Sequence, residues 1–431
     1  MLKTGWQQNI QMFSLYLLCF ALPMPFIVGS VATILVLVSS LLPANLKTIA
    51  GNLGKRKALW LWILFFVLHV YSYTYSDNKA ESSFDIQVKL SFFILPIAIG
   101  LGMNIDRRKA ENIFLSLVSG ITTIALVFIA RAAYNWYTTG SSDSFFYHSL
   151  VKGVDSNAVY IAWYTIFSIS ILLFLTWKNY FQGKTKALRF ILALINIAFF
   201  ILLSSKTLIA IFIIFIMPFF IIRIAAKKLS YLSVSVISLA FVILVTGLIT
   251  IDNPIRKRYQ EVFNKDVKNA LTRDYRGVHQ QEFNNLTLRL FLWRIGLENM
   301  NDCDLWLKGS GNGDVKDVQY MKMVDYQVQY ITSDIWYEKP VFARVNLHNM
   351  FLQSLVMLGI PGLLVFALIV LLPFFYLGRT PFGYVFLPFF LSSFLFMIQE
   401  AALQTQAGSL YYTLFSSIFW CIYYTGVKKF Y

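Results

Sequence analysis

Charge is the scarce commodity in this chain. Only 13% of its 431 residues are charged, against 58% hydrophobic and 17% aromatic, a balance that excludes an ordinary soluble globular domain. Cysteine is nearly absent too. Cys19, Cys303 and Cys421 stand far apart, two of them within apolar runs, so neither a disulfide framework nor a cysteine metal site is expected. No H-E-x-x-H, G-x-S-x-G or paired-cysteine motif occurs, which removes the usual signatures of zinc peptidases and serine hydrolases. Internal repeats and low-complexity segments are also missing, which weighs against the inverted-repeat plan of many secondary transporters.

What the sequence has in abundance is apolar segments. A span needs about 20 apolar residues. About twelve such segments, most of them near that length, can be placed, at 11–27, 28–44, 58–75, 90–104, 112–134, 158–177, 187–204, 207–226, 230–250, 350–377, 383–399 and 409–426. The expected fold class is therefore an all-α integral membrane protein. The first segment lacks a small-residue cleavage site followed by a soluble domain, and reads as a retained span.

The formal charge of +16 would point to nucleic acid in a soluble protein, but its distribution says otherwise. With the N-terminus on the cytoplasmic side, the inner loops hold 18 of the 37 cations and only Asp106 and Glu111 among the 21 acids. The remaining 19 cations and 19 acids cancel on the outer side. The whole excess thus obeys the positive-inside rule. It describes topology, with both termini inside, and no nucleic-acid partner is expected.

This topology divides the chain into a bundle over 1–251, a large outer loop over 252–346 and a final set of spans over 347–431. Within the loop, Leu286, Leu290, Trp293 and Leu297 recur at helical spacing and predict an amphipathic helix lying over the outer mouth of the bundle. The following "KGSGNGD" predicts a loop, since glycines permit backbone conformations that other residues avoid. A second outer region, 135–157, mixes polar and aromatic residues. Elsewhere ionisable residues gather at span ends and in loops, unlike the midplane charges typical of transporters.

Several residues are candidates for chemistry, each with a plainer reading beside it. "LSSKTL" interrupts a run too long for one crossing, so Ser204, Ser205 and Lys206 predict a tight outer hairpin. Lys206 then either anchors a span end by snorkelling or offers a point charge to a lipid phosphate. Arg289 and Arg294 either sit on a solvated helix face or grip a phosphate through paired hydrogen bonds, a task that suits arginine. Five residues apart, they point about 140° from each other, so one ligand is not expected to meet both. His348 and Asn349 precede the tenth span. Extending the helix backward puts His348, Leu352, Leu355, Gly359 and Gly362 on one face, with a kink at Pro361 and close helix approach at the glycines. A lone histidine is more often structural, yet its unperturbed pKa of about 6.5 suits proton transfer. Two look-alikes are set aside: Gly183-Lys184-Thr185 lacks the first glycine of a phosphate-binding loop, and Asp302-Cys303-Asp304 only resembles an acidic pair for nucleotide sugars.

The order of these motifs resembles the O-antigen ligase and polymerase superfamily of bacterial envelope glycosyltransferases. "HNMFLQSLVMLGIPG" matches that family's His-Asn, nine residues, Gly, two residues, Gly. The SSK hairpin, Arg289 with Trp293 four residues on, and Gly309-x-Gly311 precede it in order; Glu400 and Gln406-Ala-Gly408 follow. The resemblance extends from about 155 to 426. Lys206 stands where the family usually has arginine, which keeps charge but loses a two-pronged grip. Asp155 and Asn157 lie where relatives often show histidine, so no site is assigned there.

The resemblance implies a multispan glycosyltransferase fold of the GT-C type, independent of metal, ATP and cofactors. It implies a glycan donor carried on undecaprenyl pyrophosphate at the periplasmic face of the inner membrane. The acceptor is lipid A–core in ligases, another lipid-linked repeat in polymerases, and protein in related oligosaccharyltransferases. On that reading His348 is the general base and Arg289, helped by Lys206 and less by Arg294, holds the pyrophosphate. Asn349 orients the base or a sugar hydroxyl, and Glu400 holds His348 or Arg289. Gly309, Gly311, Gly359, Pro361 and Gly362 form the structural motif. A lipid or polysaccharide transporter is the alternative from another class.

Overall fold

The computed structural model of the chain describes residues 5–153, 157–177, 185–228, 267–276, 283, 285–328, 345–378 and 382–426. Among them every regular element is helical and no strand occurs, as the length of the apolar segments predicts. The first group comprises α1 (Gly5–Ala21), α2 (Phe26–Ser40), α3 (Pro43–Asn52), α4 (Trp60–Tyr75), α5 (Lys79–Leu95) and α6 (Arg107–Thr139). A single turn, α7 (Tyr147–Leu150), precedes α8 (Ala158–Trp177), α9 (Thr185–Leu202), α10 (Lys206–Ile211) and α11 (Met217–Lys228). Beyond these lie α12 (Asn285–Asp302), α13 (Val315–Asp325), α14 (Met350–Leu377), α15 (Gly383–Gln399) and α16 (Gln406–Thr425).

Five described helices are long and apolar enough to cross a membrane, six if α2 and α3 are counted as one broken span. Shorter apolar helices occur at Ala187–Leu202, Lys206–Ile222 and Gly383–Gln399. The expected ninth span, 230–250, the boundary at 251 and much of the expected loop 252–346 lie outside the described residues. So do Gly183, Lys184 and Asp155.

Among the expected spans whose ends differ, two do so for a clear local reason. The second, expected over 28–44, stops at Ser40. Pro43 opens α3 at its first turn, where a missing N–H does no harm, and the chain bends by 82°. Asn45 fixes the corner by donating to Ser39 O at 2.8 Å, while Gln7 Oε1 accepts from Ala44 N–H at 2.9 Å. The fourth, expected from residue 90, begins at Lys79, where Asn78 caps the helix by accepting from Glu81 N–H. Asp85 and Lys89, assigned by sequence to the outer loop, are therefore inside the bundle and buried. With buried His69 on α4, they overturn the expectation that ionisable groups keep to span ends and loops.

The predicted hairpin after α9 is present. Phe200 and Phe212 rings lie 5.5 Å apart, which requires the chain to reverse between them. At the centre α8, α15 and α16 meet through aromatics: Trp163–Tyr411 at 4.6 Å, Phe167–Phe415 at 4.9 Å and Phe167–Phe389 at 5.2 Å. Such pairs add about 0.5–1.5 kcal/mol beyond simple burial.

Polar groups in this interior bond to one another, as an apolar surrounding requires. Asn196 on α9 donates to Thr122 Oγ1 on α6 and accepts from Ser168 Oγ on α8, each at 2.9 Å. After α5 the helix widens to a π-type stretch over Pro96–Leu101. Its carbonyls find side-chain donors: Gln11 reaches Ala98 O at 2.9 Å and Asn52 reaches Leu101 O at 2.8 Å. Buried Arg56 donates to Gly100 O and to Met103 O at the same end.

Helix crossings are set by small residues. A Cβ on Gly120 of α6 would stand 2.2 Å from Phe20 O of α1, whereas one on Gly51 would meet nothing within 4 Å. Gly120→Ala should therefore destabilise the purified protein by about 1–3 kcal/mol. Gly51→Ala should leave it unchanged or stabilise it by a few tenths. Thermal unfolding in detergent compares the two, and equal midpoints would refute the close α1–α6 contact.

Candidate functional site

The predicted histidine does not ride on a helix face. α14 begins at Met350, and His348 lies in the preceding turn with φ of 45°, a left-handed conformation that costs about 1–2 kcal/mol and that histidine visits more often than most residues. The turn is held by its neighbours. His348 N–H donates to Asn346 Oδ1 at 2.9 Å, and Leu347 N–H donates to Gln353 Oε1 at 3.1 Å. Asn349 Oδ1 accepts from Leu352 N–H at 3.0 Å. That bond is a helix N-cap, so Asn349's carbonyl oxygen is committed to starting α14.

This turn aims the imidazole at the end of α15. His348 Nδ1 lies 2.9 Å from Glu400 Oε2. A carboxylate only accepts, so in the neutral imidazole Nδ1 carries the proton and Nε2 keeps its lone pair. The same Glu400 oxygen is 3.9 Å from Arg289 Nη2. Arg289 is fixed independently: its Nε donates to Gln399 O at 2.9 Å and its Nη1 to Asn285 O at 2.8 Å. Two of the five guanidinium N–H groups are thus used to set its plane. Side-chain exposures of 24% for His348, 17% for Glu400 and 25% for Arg289 leave the trio reachable yet poorly hydrated. Burial pushes the Arg289 pKa down, against the opposing pull of Glu400 and Tyr147, and the group remains cationic at neutral pH because arginine starts so high.

The serine–lysine hairpin arrives at the same place by another route. Lys206 opens α10, and Thr207 Oγ1 beside it donates to Gln399 Oε1 at 2.7 Å. Gln399 therefore links the hairpin to Arg289, using its side chain for one and its carbonyl for the other. Sequence reasoning missed both Thr207 and Gln399; their only signal was adjacency to Lys206 and Glu400.

Arg294 belongs elsewhere. It lies 3.7 Å from Glu298 Oε1 and over the rings of Tyr326 and Phe291, at 5.2 and 5.9 Å. None of these partners touches His348, Glu400 or Arg289, and the expected division between the two arginines is what the helix presents. The predicted apolar face of this helix holds for two of its four residues, since Leu290 and Trp293 are half-buried against the core. Leu286 and Leu297 are exposed, whereas Thr287, Phe291, Leu292, Ile295 and Gly296 are buried. Gly296 lets the Leu347 and Leu352 side chains come close, and with Phe291, Leu292 and Ile295 buried beside it α12 packs against the start of α14 through a mixed face.

The glycine motifs turn out to be two halves of one joint. α14 was expected to kink at Pro361, but it breaks at Gly359, whose φ of 67° and ψ of −166° are not helical. With Pro361 lacking an N–H and Gly359 turned aside, the carbonyls of Val356 and Met357 lose their in-helix donors. The predicted loop replaces them. Ser310 N–H donates to Val356 O at 2.8 Å, Gly311 N–H to Met357 O at 3.1 Å, and Ile360 N–H reciprocates to Trp306 O at 2.8 Å. A Cβ on Gly309 would stand 2.4 Å from Met357 C, and one on Gly359 2.6 Å from Leu307 O. Gly362, expected to admit a neighbouring helix, is crowded by Leu358 of its own helix.

These features define a membrane-embedded helical protein with a histidine–carboxylate pair and a fixed arginine at one end of the bundle. A family model described as O-antigen ligase matches residues 190–367, which supports membership of the O-antigen ligase/polymerase family. The matched stretch holds Lys206, Arg289, the glycine joint and His348, and ends before Glu400. No curated protein matches the chain.

Gly309→Ala and Gly359→Ala should each lower stability by about 1–3 kcal/mol from backbone strain alone, with further loss from the contacts named. Thermal unfolding in detergent measures this. Midpoints equal to that of the unmodified protein would show that the joint does not hold the turn against α14.

Proposed function

We propose that the protein is an O-antigen ligase, which moves a glycan from undecaprenyl pyrophosphate to lipid A–core at the periplasmic face of the inner membrane. The observation that carries this reading is the 2.9 Å pairing of His348 Nδ1 with Glu400, beside Arg289. In the proposed reaction an acceptor sugar hydroxyl attacks the anomeric carbon of the donor glycan. The new C–O bond forms as the bond to the pyrophosphate breaks, and undecaprenyl pyrophosphate leaves with the electron pair. His348 Nε2 takes the hydroxyl proton. Glu400 keeps the imidazole in the tautomer that can do so and stabilises the imidazolium that results, and such general-base catalysis typically contributes about 10²–10⁴-fold.

Charge growing on the leaving pyrophosphate needs fixed positive partners. Arg289 is the first, because its two backbone hydrogen bonds orient its remaining N–H groups in advance. Lys206, one residue from Thr207 at the same hairpin, is proposed as a second, acting as a point charge where the family usually has arginine. Asn349 shapes the site by capping α14 rather than by binding a sugar, and Arg294 has no substrate role in this scheme. The polar interior offers one observation in favour of a transporter instead, since buried ionisable residues often mark transport pathways.

Purified protein given undecaprenyl-pyrophosphate glycan and lipid A–core, without ATP, should yield capped core. A longer lipid-linked chain would identify a polymerase instead, and a glycosylated protein an oligosaccharyltransferase. Glycolipid movement with no product, while native membranes still make conjugate, would end the transferase reading. His348→Ala should retain donor binding while turnover falls at least a hundredfold. Arg289→Ala should weaken donor binding roughly ten- to a hundredfold, the loss expected for charge-assisted hydrogen bonds; unchanged affinity would remove it from the pyrophosphate site.

A further inference from the structure

A second histidine–carboxylate pair lies within the bundle, where the proposed chemistry makes no use of it. His69 Nδ1 on α4 is 2.9 Å from Asp85 Oδ2 on α5, and the other oxygen of Asp85 accepts from Lys89. His69 and Lys89 are fully buried and Asp85 is 6% exposed. Holding charge there carries a desolvation penalty of several kcal/mol per ion, which the pairing must offset. His69 Nε2 has no hydrogen-bond partner among the described residues.

The cluster is tied to the glycine turn by Asn312. Asn312 Nδ2 lies 3.3 Å from Asp85 Oδ2, 3.3 Å from His69 O and 3.4 Å from Ser82 O, while its carbonyl oxygen accepts from Ser82 Oγ. The same turn is bound on both flanks. Gly313 N–H donates to Ser76 Oγ at 3.1 Å, and Asp314 accepts from the N–H groups of Asp77 and Asn78 at 2.8 and 2.7 Å. Lys316 pairs with Glu81 beyond them. One edge of the turn is thus keyed into the α4–α5 hairpin, and the other edge supplies the donors that splice the broken α14.

The segment that this splice holds is short. Residues 350–358 form a little over two helical turns between the break at Gly359 and the cap at Asn349, with His348 immediately before them. Any shift of the turn therefore moves the histidine almost as a rigid body. We propose that the buried His69–Asp85–Lys89 cluster, acting through Asn312 and the glycine turn, positions the half-helix that carries His348 and so sets the geometry of the base without touching substrate. These are positioning residues for the proposed transfer, and the inference rests on His348 being its base.

The test uses the full-length protein in detergent or nanodiscs. Asn312→Ala and, separately, Ser82→Ala loosen the link while leaving the Asp85–Lys89 pair intact, so folding survives better than with a change at Asp85. Each variant should lose roughly ten- to a hundredfold in kcat, the scale of a misplacement by about 1 Å, with donor KM within about twofold of the unmodified protein's on the same footing. Amide exchange at residues 310, 311 and 360 should quicken. In a His348→Ala background Asn312→Ala should cause no further loss, because its effect runs through the base. An unchanged kcat, a rise in KM alone, or an equal loss in the His348→Ala background would overturn the proposal. If His348→Ala turns over as fast as the unmodified protein, the transferase reading fails at its base, and the role in positioning that base falls with it. The exchange measurement then still decides whether Asn312 holds the turn, with unaltered exchange refuting the mechanical link as well.

Discussion

A helix broken in an apolar surrounding must find new partners for the carbonyls it abandons. At Gly359 the partners come from a loop more than forty residues earlier in the chain, and that exchange of backbone hydrogen bonds orders much of what surrounds it. Each unsatisfied group would cost on the order of 1–3 kcal/mol, so the break and the loop stabilise each other and neither is expected to persist alone. The glycines are needed because two backbones lie against each other where a single Cβ would intervene.

Around this joint the candidate site is assembled from parts that differ in stiffness. His348 sits in a turn that three side-chain-to-backbone bonds define. Arg289 is oriented by two backbone carbonyls and Glu400 by position at the end of α15. Preorganisation of this kind matters for group transfer, since donors already aimed at developing charge require no rearrangement at the moment of reaction. The interior polar groups add hydrogen bonds between helices farther from the site, as Asn196 does between α6, α8 and α9.

The sequence made much of this legible, though unevenly. The helical class, the reversal at Ser204–Lys206 and the loop nature of "KGSGNGD" all followed from apolar run length and glycine placement. His348, Arg289 and Glu400 were nominated from motif order, and the structure brings them together. Asp85 and Lys89 were misplaced because hydropathy treats a charge as a mark of solvent, while i,i+4 spacing and a histidine on the preceding helix let two charges neutralise each other inside. The contact face of α12 is rotated from the one that leucine spacing indicates: Leu290 and Trp293 pack inward, Leu286 and Leu297 do not, and Phe291, Leu292 and Ile295 with Gly296 complete the buried side. The position of the break in α14 was legible only as far as the presence of Pro361, since the missing N–H acts one turn upstream of the proline and the glycine there yields first.

The order in which the site's members occur along the chain has a consequence for biosynthesis. Arg289, His348 and Glu400 are contributed by three separate stretches, and the carboxylate is the last of them. Elements made early can dock as they emerge, but the histidine has no fixed tautomer until residue 400 has been translated and folded back beside it. A chain released before that point has the bonds that shape the His348 turn, but not the carboxylate that pairs with the imidazole. The trio is therefore complete only once the last of the three stretches has folded back onto the other two.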